Sequence, residues 1–101
     1  MILGRVVGSV VATNKDSRLD GVASLIVEKI DIASTQGTGS YLVALDAVGA
    51  GPGEIVMCVS GSSSRMTTVT DGRPSDATIT AIVDMVDLDG APVYRKDASS
   101  R

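Results

Sequence analysis

Few residues in this chain are of a type and spacing that could do chemistry. Gly61-Ser62-Ser63-Ser64-Arg65 half-resembles the nucleophile elbow of a hydrolase, in which a serine hydroxyl is presented to a nearby base. The closing glycine of that motif is missing, and the chain has no histidine to take the proton. A loop of small hydroxyl residues beside a fixed cation is better suited to an anion or a pore lining. Taken alone, it reads as a solvated turn.

Gly49, Gly51 and Gly53 follow a strand-like segment, as the glycines of a dinucleotide loop do. That fingerprint needs G-x-G-x-x-G opening a helix. Here the third glycine comes one residue early, Glu54 fills its place, and Ile55 onward is strand-like. The glycines therefore read as a tight turn, or as a place where backbone approaches another chain closely. Asp84, Asp87 and Asp89 before Gly90 resemble a calcium loop. Setting Asp87, Asp89 and Gly90 at its third, fifth and sixth positions puts Met85 first and Lys96 twelfth, where carboxylates are required. No calcium site is expected. Cys58, inside Ile55 to Ser60 (IVMCVS), has no basic neighbour in sequence and reads as a small buried hydrophobe.

The absent residue types narrow the function further. Lack of His removes Ser-His-Asp and Cys-His catalysis and imidazole-bound zinc. One Cys excludes an internal disulfide, a four-cysteine zinc site and an iron–sulfur cluster. Neither a cofactor nor a metal is expected. Nine Lys and Arg against twelve Asp and Glu give a net charge of −3, and the only adjacent basic pair is Arg95-Lys96. With two aromatics in all, Tyr41 and Tyr94, the chain has neither the basic patch nor the stacking platform of a nucleic-acid binder. Uncharged stretches such as Ile55 to Ser64 fall far short of the ~20 apolar residues of a membrane helix. Arg5 interrupts the N-terminal apolar stretch, so no signal peptide is expected and the address is cytoplasmic.

The elements that must position these residues are strands. Of 101 residues, 44% are apolar and 14 are valine, which favours β-structure with a thin core. Ile2 to Thr13 is a first strand with both faces largely apolar, so that one face can line a barrel and the other a subunit contact. Asn14 to Gly21 is a polar loop and Val22 to Ile32 a second strand, with Leu25, Val27 and Lys29 opposing Ile26, Glu28 and Ile30. Ala33 to Ser40 is a turn, Tyr41 to Val48 a third strand and Ile55 to Ser60 a fourth. Met66 to Asp76 holds an Asp71-Gly72 turn and Pro74. Asp76 to Val86 is ambiguous: Ile79, Ile82, Val83 and Val86 fit a helical stripe, yet β-branched density favours a strand, entered by a helical turn capped by Ser75 or Asp76. Asp89-Gly90 marks a hairpin. One domain is expected over residues 1–97, with a polar tail at 98–101. Five or six short strands with one or two short helical turns suggest a small closed β-barrel, and a core built from small side chains favours oligomerisation.

Three blocks in fixed order point to a family: GRVVGSVVATNKD, DAVGAGPGEIVMCVSGSSSR and RPSDATITAIVDMVD. Together they resemble the EutN/CcmL family, the pentameric vertex proteins of bacterial microcompartments and carboxysomes, from about Ile2 to Lys96. Departures are slight. Ser64 stands where the family often has Ala, Ser75 where a branched apolar residue is common, and Pro52 at the variable place of GAGxGE. The resemblance implies an OB-like barrel assembling as a homopentamer that closes the five-fold vertices of a shell tiled by hexameric and pseudohexameric proteins. It implies a structural protein, not an enzyme, located in that shell. By the same analogy Gly49, Ala50, Gly51, Gly53 and Glu54, with Ser60, Gly61, Ser62, Ser63 and Arg65, form the subunit interface or axial pore. Glu54 and Arg65 are then candidates for an ion pair or for hydrogen-bonding anchors, within or between subunits, and Val93 to Lys96 for a reach to a neighbouring subunit or a facet tile. The reading from another class is a small OB-like binding module for a peptide, sugar or oligonucleotide; the acidic balance and scarce aromatics count against it.

Overall fold

The computed structural model describes residues 1–11, 22–60 and 77–96. Its elements are seven strands: β1 (Ile2–Val10), β2 (Ser24–Ile30), β3 (Gly37–Asp46), β4 (Ile55–Ser60), β5 (Ala77–Ile82), β6 (Met85–Leu88) and β7 (Ala91–Arg95). The first five close into a barrel in the order β1-β2-β3-β5-β4, with β4 returning to pair with β1. All pairs in the barrel are antiparallel except β3 with β5, where Leu45 lies opposite Thr78 and Asp46 opposite Ile79. This is the OB-like closed barrel expected, and closure leaves no barrel strand with an unpaired edge. The loop at 14–21, the Gly61 to Arg65 loop, the Asp71-Gly72 turn, the helical turn at Ser75 or Asp76 and the tail at 98–101 lie outside the described residues.

Strand ends are set by local polar groups. β2 stops at Ile30, two residues short of the expected Ile32, because the Asp31 carboxylate accepts from the Ser34 amide and the Ser34 hydroxyl, both at 3.0 Å. Those bonds fold residues 31–35 into a turn and hold the Asp31 carboxyl below its usual pKa. β3 begins at Gly37, four residues before Tyr41. Gly37 pairs with Ile30, and the Gly39 amide donates to the Glu28 carboxylate at 2.9 Å. Its far end stops at Asp46, whose carboxylate accepts from the Val48 and Gly49 amides at 3.0 and 2.9 Å. β4 has the expected bounds.

The ambiguous segment is strand, broken in two. β5 ends at Ile82, the Val83 amide donates to the Ile55 carbonyl at 2.8 Å, and the chain then enters a separate hairpin. The apparent helical stripe is divided between two clusters. Ile79 is in the barrel core with Ile82 packed against it, whereas Val83 and Val86 belong to the second cluster. β6 and β7 form the hairpin that Asp89-Gly90 signals: both turn residues have positive φ, 54° and 81°, as a type I′ turn requires.

Burial follows the period-2 pattern of β1 and β2. Val6, Leu25 and Val27 point into the barrel with Ala44, Val56, Cys58, Ala77 and Ile79. On the outside, Ile30 and Ile55 are covered by Tyr94 of the hairpin, joined by Leu3, Val83 and Val86. The hairpin is thus a lid over one part of the outer barrel wall.

Candidate functional site

The Gly49 to Glu54 loop is held by hydrogen bonds to β1 and by an ion pair to Lys96. The Glu54 carboxylate accepts from the Gly51 amide at 2.5 Å and pairs with the Lys96 ammonium at 2.6 Å. The Glu54 amide donates to the Gly51 carbonyl at 3.2 Å, closing a four-residue turn. Along β1, the Val6 amide donates to the Glu54 carbonyl at 2.9 Å and the Gly53 amide to the Val6 carbonyl at 2.8 Å. Arg5 Nη1 adds a bond to the Gly53 carbonyl at 2.9 Å. Ala50 packs against the barrel core. The loop therefore presents a fixed outline, anchored to β1 on one side and to the end of β7 on the other.

The glycines serve the backbone of this loop. Gly49 and Gly53 have φ of +79° and +83°, and a Cβ at either would meet nothing within 4 Å. Their requirement is the left-handed conformation. A Cβ on Gly51 would meet only the Glu54 carboxylate, at 3.4 Å, an ordinary contact. Within the chain none of the three marks a close approach. Among the described residues Gly37, against the Glu28 carboxylate, and Gly4 on β1, against Val27 and the Glu28 backbone, do so; sequence reading singled out neither.

Glu54 pairs with Lys96, which sequence reading did not foresee; Gly61, Ser62, Ser63 and Arg65, the last suggested as a Glu54 partner, lie outside the described residues. Ser60 is exposed at the end of β4, paired with Ala77. The Lys96 hydrogen bond, then the Gly51 amide, hold the Glu54 carboxyl below its ordinary pKa, and Lys96 is raised mainly by the same bond. A depressed carboxyl contributes stability that is full above its unfolded value and is lost as pH falls through its folded one. The loop should thus loosen below the ordinary glutamate range near pH ~4. Amide exchange at Gly51 measured down that range should show the loss. Glu54→Gln, whose amide oxygen can still accept from Gly51 but carries no charge, should abolish the pH dependence.

Two further sequence candidates have definite surroundings. Cys58 is fully buried and burial pushes its thiol up to about 11, far from a reactive thiolate. Among the described residues no three His, Cys, Asp or Glu side chains are grouped to hold a metal ion, Asp84, Asp87 and Asp89 included. No helix among them is long and apolar enough to cross a membrane.

What sequence reading missed is an apolar groove on the outside of the barrel, lined by Val7, Ile26, Tyr41, Leu42 and Val43. The available cue was the two-sided apolar character of β1. Nothing local marked Tyr41 and Val43 as uncovered, yet they are 60% and 54% exposed.

A closed five-stranded barrel with a hydrogen-bonded Gly49 to Glu54 loop and an apolar groove on its outer wall defines a small OB-like protein. The family described as ethanolamine utilisation protein EutN/carboxysome matches residues 1–84, and the chain belongs to it. The carboxysome shell vertex protein CcmL of Gloeobacter violaceus is 41% identical over 96 residues, 95% of each chain. The solved structure of Gloeobacter violaceus CcmL superposes with a TM-score of 0.90 at 40% identity, over 96% of this chain and 99% of that one. The GrpN pentameric microcompartment shell protein from Rhodospirillum rubrum superposes with a TM-score of 0.78 at 40% identity, over 87% and 99%.

Proposed function

We propose that five copies of this chain form a ring that caps the five-fold vertices of a bacterial microcompartment shell. The observation that carries this reading is the match along nearly the whole chain to shell vertex proteins, one of them solved as a pentamer. The work is geometric: a pentamer set among hexameric and pseudohexameric tiles supplies curvature that flat tiling lacks. No turnover is required of it, and its place is the shell in the bacterial cytoplasm. Residues 1–97 act as one domain in this reading, with 98–101 as a tail.

Closing a ring of five needs a head-to-tail contact, so each copy offers two unlike faces. The loop from Gly49 to Glu54, with Ser60 and the stretch from Gly61 to Arg65, forms one face or the axial opening. Its bracing supports this, since a rigid outline loses little entropy on docking. The reading is tested by native mass spectrometry at low micromolar concentration. A species of five times 10.3 kDa is expected; a strict monomer would overturn the assignment and bring the binding-module reading forward.

Gly51→Val separates a contact role from a fold role. Inside the chain a Cβ at this position meets only the Glu54 carboxylate, and the far-UV spectrum should be unchanged. At a subunit contact the added bulk should shift the five-fold species to smaller ones. An intact pentamer would remove Gly51 from the interface.

A further inference from the structure

We propose that the Asp89-Gly90 peptide at the tip of the β6–β7 hairpin is a site of spontaneous aspartyl isomerisation, and that the product unmakes the hairpin turn. This chemistry is independent of the vertex reading.

The reaction asks for a free aspartyl carboxyl, an accessible amide on the next residue and no bulky side chain beside that amide. The described aspartates differ in these respects. Asp31 accepts from the Ser34 amide and hydroxyl, and Asp46 from the amides of Val48 and Gly49. Asp31, Asp84 and Asp87 are followed by Ile32, Met85 and Leu88, whose side chains crowd the attacking nitrogen. Among the described residues only Asp89 precedes a glycine, and its carboxylate there accepts no hydrogen bond and forms no ion pair.

Its place in the fold supplies the motion. Every residue from Asp87 to Pro92 is exposed, so nothing packs over the turn. The hairpin is fastened at its other end, where Tyr94, opposite Val86, is buried against the barrel. Asp89 is held at a φ of 54°, a left-handed conformation that costs a residue with a Cβ more than it costs glycine. An exposed tip of this kind opens by local fraying, which lets the Gly90 nitrogen reach the carboxyl carbon.

The step balances without oxidant or cofactor. The Gly90 nitrogen gives up its proton and bonds to the Asp89 side-chain carboxyl carbon, whose hydroxyl leaves as water. A five-membered imide results. Water then adds at either imide carbonyl. Opening the new bond restores aspartate. Opening the original Asp89–Gly90 bond leaves the backbone running through the side chain, one methylene longer, with the former main-chain carbonyl as a free carboxylate. A type I′ turn accommodates two residues of ordinary length, so the longer linkage disrupts the pairing of Leu88 with Ala91.

The site is tested by ageing the purified protein for several weeks at neutral pH, then mapping peptides with electron-transfer fragmentation. Isoaspartate at position 89 should exceed that at Asp31, Asp46, Asp84 and Asp87 at least tenfold. Asp89→Asn keeps a pair suited to the turn and expels ammonia in place of water, so it should reach the same product at least tenfold sooner. Equal levels at all these aspartates, or none at 89, would overturn the assignment. Amide exchange on the aged Asp89→Asn chain reads the consequence: exchange at Leu88 and Ala91 should quicken at least tenfold while β2 and β4 hold. Unchanged protection at Leu88 and Ala91 would overturn the claim that the product unmakes the turn.

Discussion

Replacing Gly4 by alanine should destabilise the barrel by about 3 kcal/mol, with a fall of ~15 °C in the thermal midpoint. Gly4 sits on β1 between Lys29 of β2 and Val56 of β4, where the barrel wall is closed on both sides. A Cβ there would overlap the Val27 side chain and stand 2.8 Å from the Glu28 carbonyl oxygen. Val27 is wholly buried and β-branched, hence stiff at χ1, and the carbonyl oxygen is backbone. Relief therefore requires β1 and β2 to move apart, at the expense of ladder hydrogen bonds. Calorimetry at matched protein concentration measures the effect, because assembly raises the midpoint with concentration. A loss below ~1 kcal/mol would mean that the β1–β2 pair yields more readily than its packing implies.

Tyr94→Ala should be of similar size, about 3–5 kcal/mol, the range for emptying a buried aromatic site. Tyr94 joins Ile30 and Ile55 in the cluster that fastens the β6–β7 hairpin to the barrel. Without the ring, Val83, Val86 and Leu3 have too little surface to hold the hairpin down. Amide protection across residues 85–95 should fall before that of β2 and β4. The Glu54–Lys96 pair would then weaken as well, since Lys96 follows directly on β7 and is placed by it. Tyr41→Ala offers the comparison: at 60% exposure it should leave subunit stability within ~0.5 kcal/mol of wild type and alter only assembly. Equal losses in denaturant titrations of the two dissociated variants would refute this division of labour.

The two tyrosines mark the limit of what sequence reading can reach. Each lies in a short apolar strand, and neither alternation nor propensity separates them. Their fates diverge because the hairpin folds back over β1, β2 and β4 and does not reach β3's outer face. The glycines teach the same lesson. Gly49, Gly51 and Gly53 stand out by spacing, and their turn was legible, with positive φ at two of them. Gly4 was hidden in a regular strand, since its constraint comes from Val27 and Glu28, more than twenty residues away. β4 and the Asp89-Gly90 hairpin were read correctly because their signals are local. The break between β5 and β6 was not, because it involves Val83 bonding to Ile55 of the neighbouring strand β4, far away in sequence.

By itself the amino-acid sequence determined that this is a small strand-rich chain without histidine, with few aromatic residues, a net charge of −3 and the ordered blocks of its family. Those properties are carried by residue types and near-neighbour spacing. Tertiary structure decided barrel closure through the parallel β3–β5 pair, the tie from Glu54 to Lys96, and which outer faces stay bare. The physical reason is that covering an apolar face takes a partner surface, and the period-2 pattern that exposes Ile30 and Val43 alike does not say where the hairpin will land.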